Sequence, residues 1–206
     1  MERIALTKAT LGRLPQYLQY LKNLPKEQYK NISATAIAKG LSLGEVQVRK
    51  DLGALSGAGK PKVGYVTCDL INSIETYLGC DKLTPAVLVG AGKLGKALLE
   101  YDGFEDYGVK IEAAFDCNEQ VLKNAESQKI MNMDSLDSFC RNHHVQIGII
   151  TVGQGSAQTV CDELIDCGIT AIWNFAPCRL QVPDGVLLRQ ENLALSLAYL
   201  NNQLCK

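Results

Sequence analysis

The sequence predicts an α/β chain in three parts: a winged helix-turn-helix domain over residues 1–82, a Rossmann-like parallel-sheet domain over 83–188, and a terminal helical segment over 189–206. Three observations carry this expectation. A short apolar run, Ala86 to Val89, feeds the glycine-spaced turn Gly90-Ala91-Gly92-Lys93-Leu94-Gly95 and then a segment of helical composition. Upstream, two capped helical segments flank a tight turn, and the second carries basic residues on its outer face. Beyond residue 83 strand and helix patterns alternate, the order of a parallel sheet with crossover helices.

From the amino end, residues 7–23 form a helix that Thr7 caps, with Leu11, Leu14, Leu18 and Leu21 at intervals of three and four and Pro25 beyond its end. A short helix over 33–40 is capped by Ser33 and followed by a third, for which Ser42 and Glu45 have capping-box spacing. On that third helix Val48, Leu52 and Leu55 share one face, while Val46, Gln47 and Lys50 point away with Arg49 on the flank. Such a face suits a major groove, where Gln reads adenine, Arg or Lys reads guanine, and Val46 meets a thymine methyl; an ordinary solvated face is the plain alternative. Residues 56–66 are glycine-rich with Lys60 and Lys62 near the middle, followed by the strand-favouring Val63, Tyr65 and Val66, and read as a wing against a phosphate backbone rather than a flexible linker.

A connecting helix follows over 67–79, with Leu70, Ile71, Ile74 and Leu78 on one side. The second part then predicts strands over 86–90, 109–115, 145–152 and 169–175, and helices over 93–101, 118–125, 134–142 and 156–167. In the glycine turn, the first glycine permits the tight turn, the second admits a pyrophosphate, and the third lets helix and strand pack closely. The next apolar run ends in Asp116, 21 residues after Gly95, where a carboxylate can accept from a ribose 2′-hydroxyl. Ligands on such sheets lie at the carboxyl ends of strands, which places Thr151-Val152 and Asn174-Phe175-Ala176-Pro177 beside the cofactor. The last segment puts Leu193, Leu197, Leu200 and Leu204 on one stripe, to pack either on its own domain or on a second subunit.

Composition narrows the function classes. A chain of 206 residues with 47% hydrophobic content can build a proper core. It holds no apolar stretch of about 18 residues, the length a membrane helix needs, and its start lacks a signal-peptide core, so a cytoplasmic protein without a membrane partner is expected. The eight cysteines include no Cys-x-x-Cys pair and read as reduced core thiols, and no metal site is expected. The net charge of −1 divides unevenly: residues 1–82 hold 12 Lys/Arg against 7 Asp/Glu, and residues 83–206 hold 9 against 15. A basic first part suggests a polyanionic partner. The two histidines, His143 and His144, precede a strand, away from the expected ligand end, so no enzyme is expected. The alternatives are a Rossmann-type nucleotide or CoA-binding module without DNA function, or a small NAD-dependent dehydrogenase.

Taken in order, Arg13-Leu14-Pro15-x-Tyr17-Leu18, Gln47-Val48-Arg49-Lys50-Asp51-Leu52, Val63-Gly64-Tyr65, the glycine turn, Tyr101-x-Gly103-Phe104, Ala157-Gln158 and Asn174-Phe175-Ala176-Pro177 resemble the Rex family of redox-sensing transcriptional repressors over nearly the whole chain. The resemblance implies a homodimer on double-stranded, palindromic operator DNA that senses the NADH to NAD+ ratio, NADH releasing the DNA. It further implies a terminal helix exchanged between subunits. On the same basis Gln47, Arg49, Lys50, Lys60 and Lys62 contact DNA, and NAD(H) is surrounded by Gly90, Gly92, Gly95, Asp116, Thr151, Asn174 and Pro177 with their neighbours Ala91, Lys93, Leu94, Val152, Phe175 and Ala176. The chain departs from the family pattern in places. It has Leu55-Ser56 for an aromatic-glycine pair, Pro61-Lys62 for a basic residue and glycine in the wing, and Gly153 for a proline. Gln19 and Asn192 stand where the family carries an arginine and an aspartate.

Overall fold

The computed structural model describes residues 6–25, 29–61, 63–80, 82–123 and 129–204, and the chain divides into two compact units, Met1–Lys82 and Leu83–Lys206. Lys62, expected in the wing, and Cys205, one of the eight cysteines, lie outside the described residues.

The first unit consists of α1 (Lys8–Lys22), β1 (Asn31–Ile32), α2 (Ala34–Gly40), α3 (Glu45–Ser56), β2 (Tyr65–Val66) and α4 (Thr67–Leu78). Thr7 and Ser33 cap α1 and α2, each side-chain oxygen accepting a backbone N–H three residues on, from Thr10 and Ala36. The expected capping box at Ser42 and Glu45 does not form: Ser42 lies in the turn with φ 54°, Gly44 is the N-cap of α3, and Glu45 is the first residue of the helix. The physical reason is the tightness of the turn, in which Leu43 N–H already reaches back to the Ala38 carbonyl at 2.9 Å. Four helices close over a core of Leu14, Tyr17, Leu18, Leu21, Ile37, Val48, Leu52, Leu70 and Ile74, whereas Leu11, on the predicted stripe, is exposed.

Between α3 and α4 the chain makes the hairpin expected of a wing. Lys60 and Gly64 exchange backbone hydrogen bonds at 2.9 Å in both directions, and β2 then pairs antiparallel with β1. Gly64 is fixed by both conformation and space: its φ is +83°, and a Cβ there would come within 2.3 Å of the Ile32 carbonyl oxygen. Strand composition at Tyr65 and Val66 was legible, whereas its partner β1 escaped the sequence reading because two residues cannot show an alternation.

The second unit is a six-stranded sheet: β3 (Thr84–Val89), β4 (Val109–Asp116), β5 (Ile130–Asn132), β6 (Ile147–Ile150), β7 (Ala171–Asn174) and β8 (Leu187–Gln190). All pairs are parallel in the spatial order β5-β4-β3-β6-β7-β8. That order reverses at β3 and β6, the switch point of a doubly wound sheet, where a crevice opens beyond the strand ends. Both faces are covered, and β3 shows why its sequence is a continuous apolar run: Val87 and Val89 belong to one core with Phe115, Leu136, Val160 and Leu164, and Ala86 and Leu88 to the other with Ala114 and Ile149. The crossovers use α5 (Lys93–Leu99), α6 (Glu119–Lys123), α7 (Leu136–Asn142) and α8 (Gln154–Asp166), with a 3-10 turn over Asp102–Tyr107 after α5. The short edge strands β5 and β8 had no distinct sequence signal.

The chain's last described element is α9 (Leu193–Leu204), which begins where Asn192 Oδ1 accepts from Leu195 N–H at 3.0 Å. None of its residues is buried, and Leu193, Leu195, Leu197, Tyr199, Leu200 and Leu204 are all exposed. The alternative of packing on its own domain is thereby corrected. No helix among the described residues is long and apolar enough to cross a membrane.

Candidate functional site

On the first unit, Val46, Gln47, Arg49 and Lys50 form the exposed side of α3, and its opposite side is buried by Val48, Asp51, Leu52 and Leu55. Arg49 pairs with Glu45 one turn earlier. Arg49 and Gly53 also line a cleft with Ser33 and Thr35 at the start of α2 and with Gly59, Lys60 and Tyr65 of the wing, so α3, the start of α2 and the wing present one surface carrying Arg49 and Lys60.

What holds α3 in place is a polar cluster the sequence reading missed. Asp51, 4% exposed, accepts from Arg13 at 2.8 and 3.0 Å, from the Tyr17 hydroxyl at 2.7 Å and from the Thr10 hydroxyl at 3.0 Å. Burial by itself would raise the Asp51 pKa, but the hydrogen bonds from Arg13, Tyr17 and Thr10 outweigh it and hold the carboxyl below its ordinary value. Burial first, and then the bond to Asp51, push the Tyr17 phenol up to about 12. The spacing of Thr10, Arg13 and Tyr17 on one helix face was a usable signal, yet nothing local says that Asp51, 38 residues after Arg13, is their common acceptor.

On the second unit a cleft of about 640 Å³ opens at the switch point, within the size range of small-molecule and cofactor sites. Of the expected residues, Gly90, Gly92, Asp116, Thr151 and Val152 line it. Gly90 has φ +102°, and a Cβ would meet Val152 Cγ1 at 2.8 Å; at Gly95 a Cβ would lie 2.0 Å from the Gly90 carbonyl oxygen. A Cβ at Gly92 meets nothing within 4 Å, so the space above it is open to a ligand. Gly90 and Gly95 thus serve the turn and the helix packing, and Gly92 leaves space open above the turn. Gly92 is the N-cap of α5 and Gly153 that of α8, neither helped by a side chain, and both line the cleft. Two helix starts therefore face the same space, and their N–H groups and dipoles favour an anion there.

Asp116 and Thr151 have duties in the main chain as well. Asp116 Oδ2 accepts the Ala91 N–H and Oδ1 the Asn118 N–H, both at 2.8 Å, stapling the glycine turn to the end of β4. Each carboxylate oxygen keeps acceptor capacity for a ribose hydroxyl. Thr151 donates its hydroxyl to the Gly90 carbonyl at 2.7 Å and is 3.2 Å from that of Val89, tying the ends of β3 and β6 together.

The other expected residues fall outside the cleft lining. Ala91 and Gly95 are buried beneath the turn, and Lys93 is exposed at the start of α5 and Leu94 half-buried. Asn174 is wholly buried. Its amide donates to the carbonyls of Ala176 and Cys178 and its Oδ1 accepts the Ala176 N–H, so its side chain shapes the turn that carries half-buried Phe175, buried Ala176 and exposed Pro177. In place of these, Cys117, Asn118, Met133, Ser156, Thr159, Val160 and Glu163 complete the walls. The heptad-like recurrence of Ser156, Thr159, Val160 and Glu163 behind Gly153 was the available signal for one wall. No disulfide joins the seven described cysteines, and no group of three metal-ligating side chains occurs among the described residues.

Residues 5–53 match a family model described as "Putative DNA-binding protein N-terminus" and residues 81–178 one described as "CoA binding domain". A helix-turn-helix unit carrying an α/β nucleotide-binding-type unit in one chain defines a ligand-responsive class of gene regulator. The redox-sensing transcriptional repressor Rex of Clostridium beijerinckii is 38% identical over 202 residues, 96% of this chain and 96% of that protein. RSP, solved in complex with beta-NAD+ and operator DNA, aligns with a TM-score of 0.89 at 33% identity over 97% of this chain and 93% of that one. RSP in complex with beta-NADH aligns with a TM-score of 0.83 at 33% identity, covering 97% and 94%. The chain belongs to the Rex family of redox-sensing transcriptional repressors, a family of regulators and not of enzymes.

Proposed function

We propose that this chain is a cytoplasmic repressor that binds a palindromic operator as a homodimer and is released from it by NADH. One observation carries the reading: a winged helix with an exposed polar and basic recognition face and a doubly wound sheet with a phosphate-ready cleft occur in one chain, the same combination as in RSP, which was solved with operator DNA and NAD+ and again with NADH. Gln47, Arg49 and Lys50 are the base-reading candidates, and Lys60 and Lys62 the phosphate contacts of the wing. The cleft takes the adenosine diphosphate half of NAD(H), with the pyrophosphate over Gly92 and the ribose at Asp116. The nicotinamide belongs toward the Asn174–Pro177 turn, where Asn174 acts by shaping the main chain. The exposed apolar face of α9 is the subunit contact.

The bound cofactor supplies no reaction here; its oxidation state is the signal. NADH and NAD+ share the adenosine half and differ in charge and planarity at the nicotinamide, so only contacts to that ring can bias the DNA-competent state over the released one. A hundredfold shift in that balance needs about 2.7 kcal/mol of differential affinity. Paired recognition helices must match half-sites one helical turn, or a multiple of it, apart.

Fluorescence anisotropy of a labelled palindromic duplex tests the reading. The expected result is tight binding that falls steeply with salt, displacement by NADH, and little displacement by NAD+. Equal affinity for random duplex would overturn the DNA assignment, and equal displacement by both dinucleotides would overturn the redox assignment.

A further inference from the structure

We infer that Glu163 selects the adenine base of the dinucleotide, its carboxylate accepting a hydrogen bond from the 6-amino group, so that the cleft discriminates against purines carrying a 6-oxo group. The inference rests on the NAD(H) reading above and adds to it a residue that neither the glycine spacing nor the acidic position after β4 indicates.

The contents of the cleft fix which part of a dinucleotide it admits. It holds Gly90 and Gly92, the two helix starts and Asp116, and it excludes the turn from Asn174 to Pro177, so it is the adenosine side of the site. A phosphate over the helix starts and a ribose at Asp116 leave the base to extend away from the glycine turn, along the wall made by α8. That wall is one face of a helix: Ser156, then Thr159 and Val160, then Glu163, all lining the cleft. Seven residues of helix span about 10 Å, the reach from a phosphate at the helix start to a base beyond the ribose. Met133 and Val160 line the cleft and offer apolar surface for the base plane, and Glu163 is the lining residue of α8 farthest along the helix from its start.

The charge of the lining is one-sided, although Asn118, Ser156 and Thr159 add neutral groups that both donate and accept. The lining contains two carboxylates, Asp116 and Glu163, and no Lys, Arg or His, and Glu163 takes part in no ion pair among the described residues. An ionised carboxylate only accepts hydrogen bonds. Adenine offers a donor at position 6, whereas hypoxanthine offers an acceptor there, which would leave two acceptors facing each other. The exposure of Glu163 lets water compete, so the expected discrimination is about fivefold, below what a buried charge-assisted bond gives.

The test is a fluorescence titration of the full chain with NADH and with its reduced hypoxanthine analogue, followed by the same titrations of Glu163→Ala and Glu163→Gln. The unmodified chain should prefer NADH about fivefold. E163A should bring the ratio near one by weakening NADH, and E163Q should narrow it, because an amide donates to a 6-oxo group as well as accepting. An unchanged ratio in E163A overturns the inference, as does a gain in NADPH affinity without a change in that ratio, which would make Glu163 a guard against the 2′-phosphate. If the unmodified chain binds neither dinucleotide, the NAD(H) reading fails first and takes this inference with it. Thermal melts establish that both variants fold.

Discussion

The two units use their buried and half-buried polar groups in opposite ways. In the first, the polar groups are side chains that bind one another across elements: Thr10, Arg13 and Tyr17 of α1 converge on Asp51 of α3. In the second, side chains bind the main chain: Asp116 holds Ala91 N–H, Thr151 holds the Gly90 carbonyl, and Asn174 holds three backbone groups of its own turn. The contrast follows from what each unit must keep fixed. A recognition helix acts as a rigid rod, so it suffices to pin the rod. A phosphate site is made of backbone N–H groups, so the backbone itself must be held.

The largest effect separating the two arrangements is expected from Asp51→Ala. It leaves Arg13 and the Tyr17 hydroxyl without their carboxylate, a loss of about 3–5 kcal/mol for a broken buried ion pair. Denaturant unfolding should show the first unit melting early while the second keeps its own transition, and a single unchanged transition would show that the cluster contributes little. The same cluster has a pH signature. Because Asp51 titrates lower when folded, its contribution is complete above the ordinary carboxylate pKa of about 4 and disappears as pH falls through that value toward the folded one. Wild-type stability should therefore drop over that window more than that of Asp51→Asn, measured by thermal melts from pH 7 to pH 3.

The glycine turn offers an intermediate effect with two faces. Gly95→Ala forces a methyl group against the Gly90 carbonyl and should cost about 1–3 kcal/mol of stability along with NADH binding. Gly92→Ala meets no protein atom, so its stability should stay near wild type while NADH affinity falls tenfold or more. Isothermal titration beside a thermal melt distinguishes the two, and matched losses in both variants would mean that Gly92 serves the fold alone. The smallest effects belong to the surface. Lys50→Ala and Lys60→Ala should leave stability unchanged, and each residue that contacts a phosphate should lower the salt slope of DNA binding by about one; a Lys50 that reads a base should instead relax the preference at one position of the half-site.

Much of the fold was legible because its signals are local. The caps at Thr7 and Ser33, the stripe of Leu14, Leu18 and Leu21, the apolar β3 run and the glycine turn are each contained within a few residues. The Ser42–Glu45 spacing misled for a related reason: two residues at capping distance do not reveal that the intervening turn is already closed by Leu43. In the candidate site the main-chain elements were legible and the walls were not. Met133 and Glu163 come from elements 30 residues apart, and only the sheet order, which sets β4 and β6 on either side of β3, brings them to one cleft.

The amino-acid order alone settled the helical and strand periods, the division near residue 82, the turn and packing duties of Gly90 and Gly95, and the exposed basic side of α3, since all of these follow from side-chain direction and backbone freedom within a turn or two. The folded chain decided where polar groups spend their hydrogen bonds. Asp51 becomes the acceptor of a helix 38 residues away, Asn174 turns inward to its own backbone, and Glu163 comes to overlook a cleft that begins at Gly90. Partner choice over such separations depends on which surfaces pack together, and packing is a property of the whole three-dimensional arrangement rather than of any window of sequence.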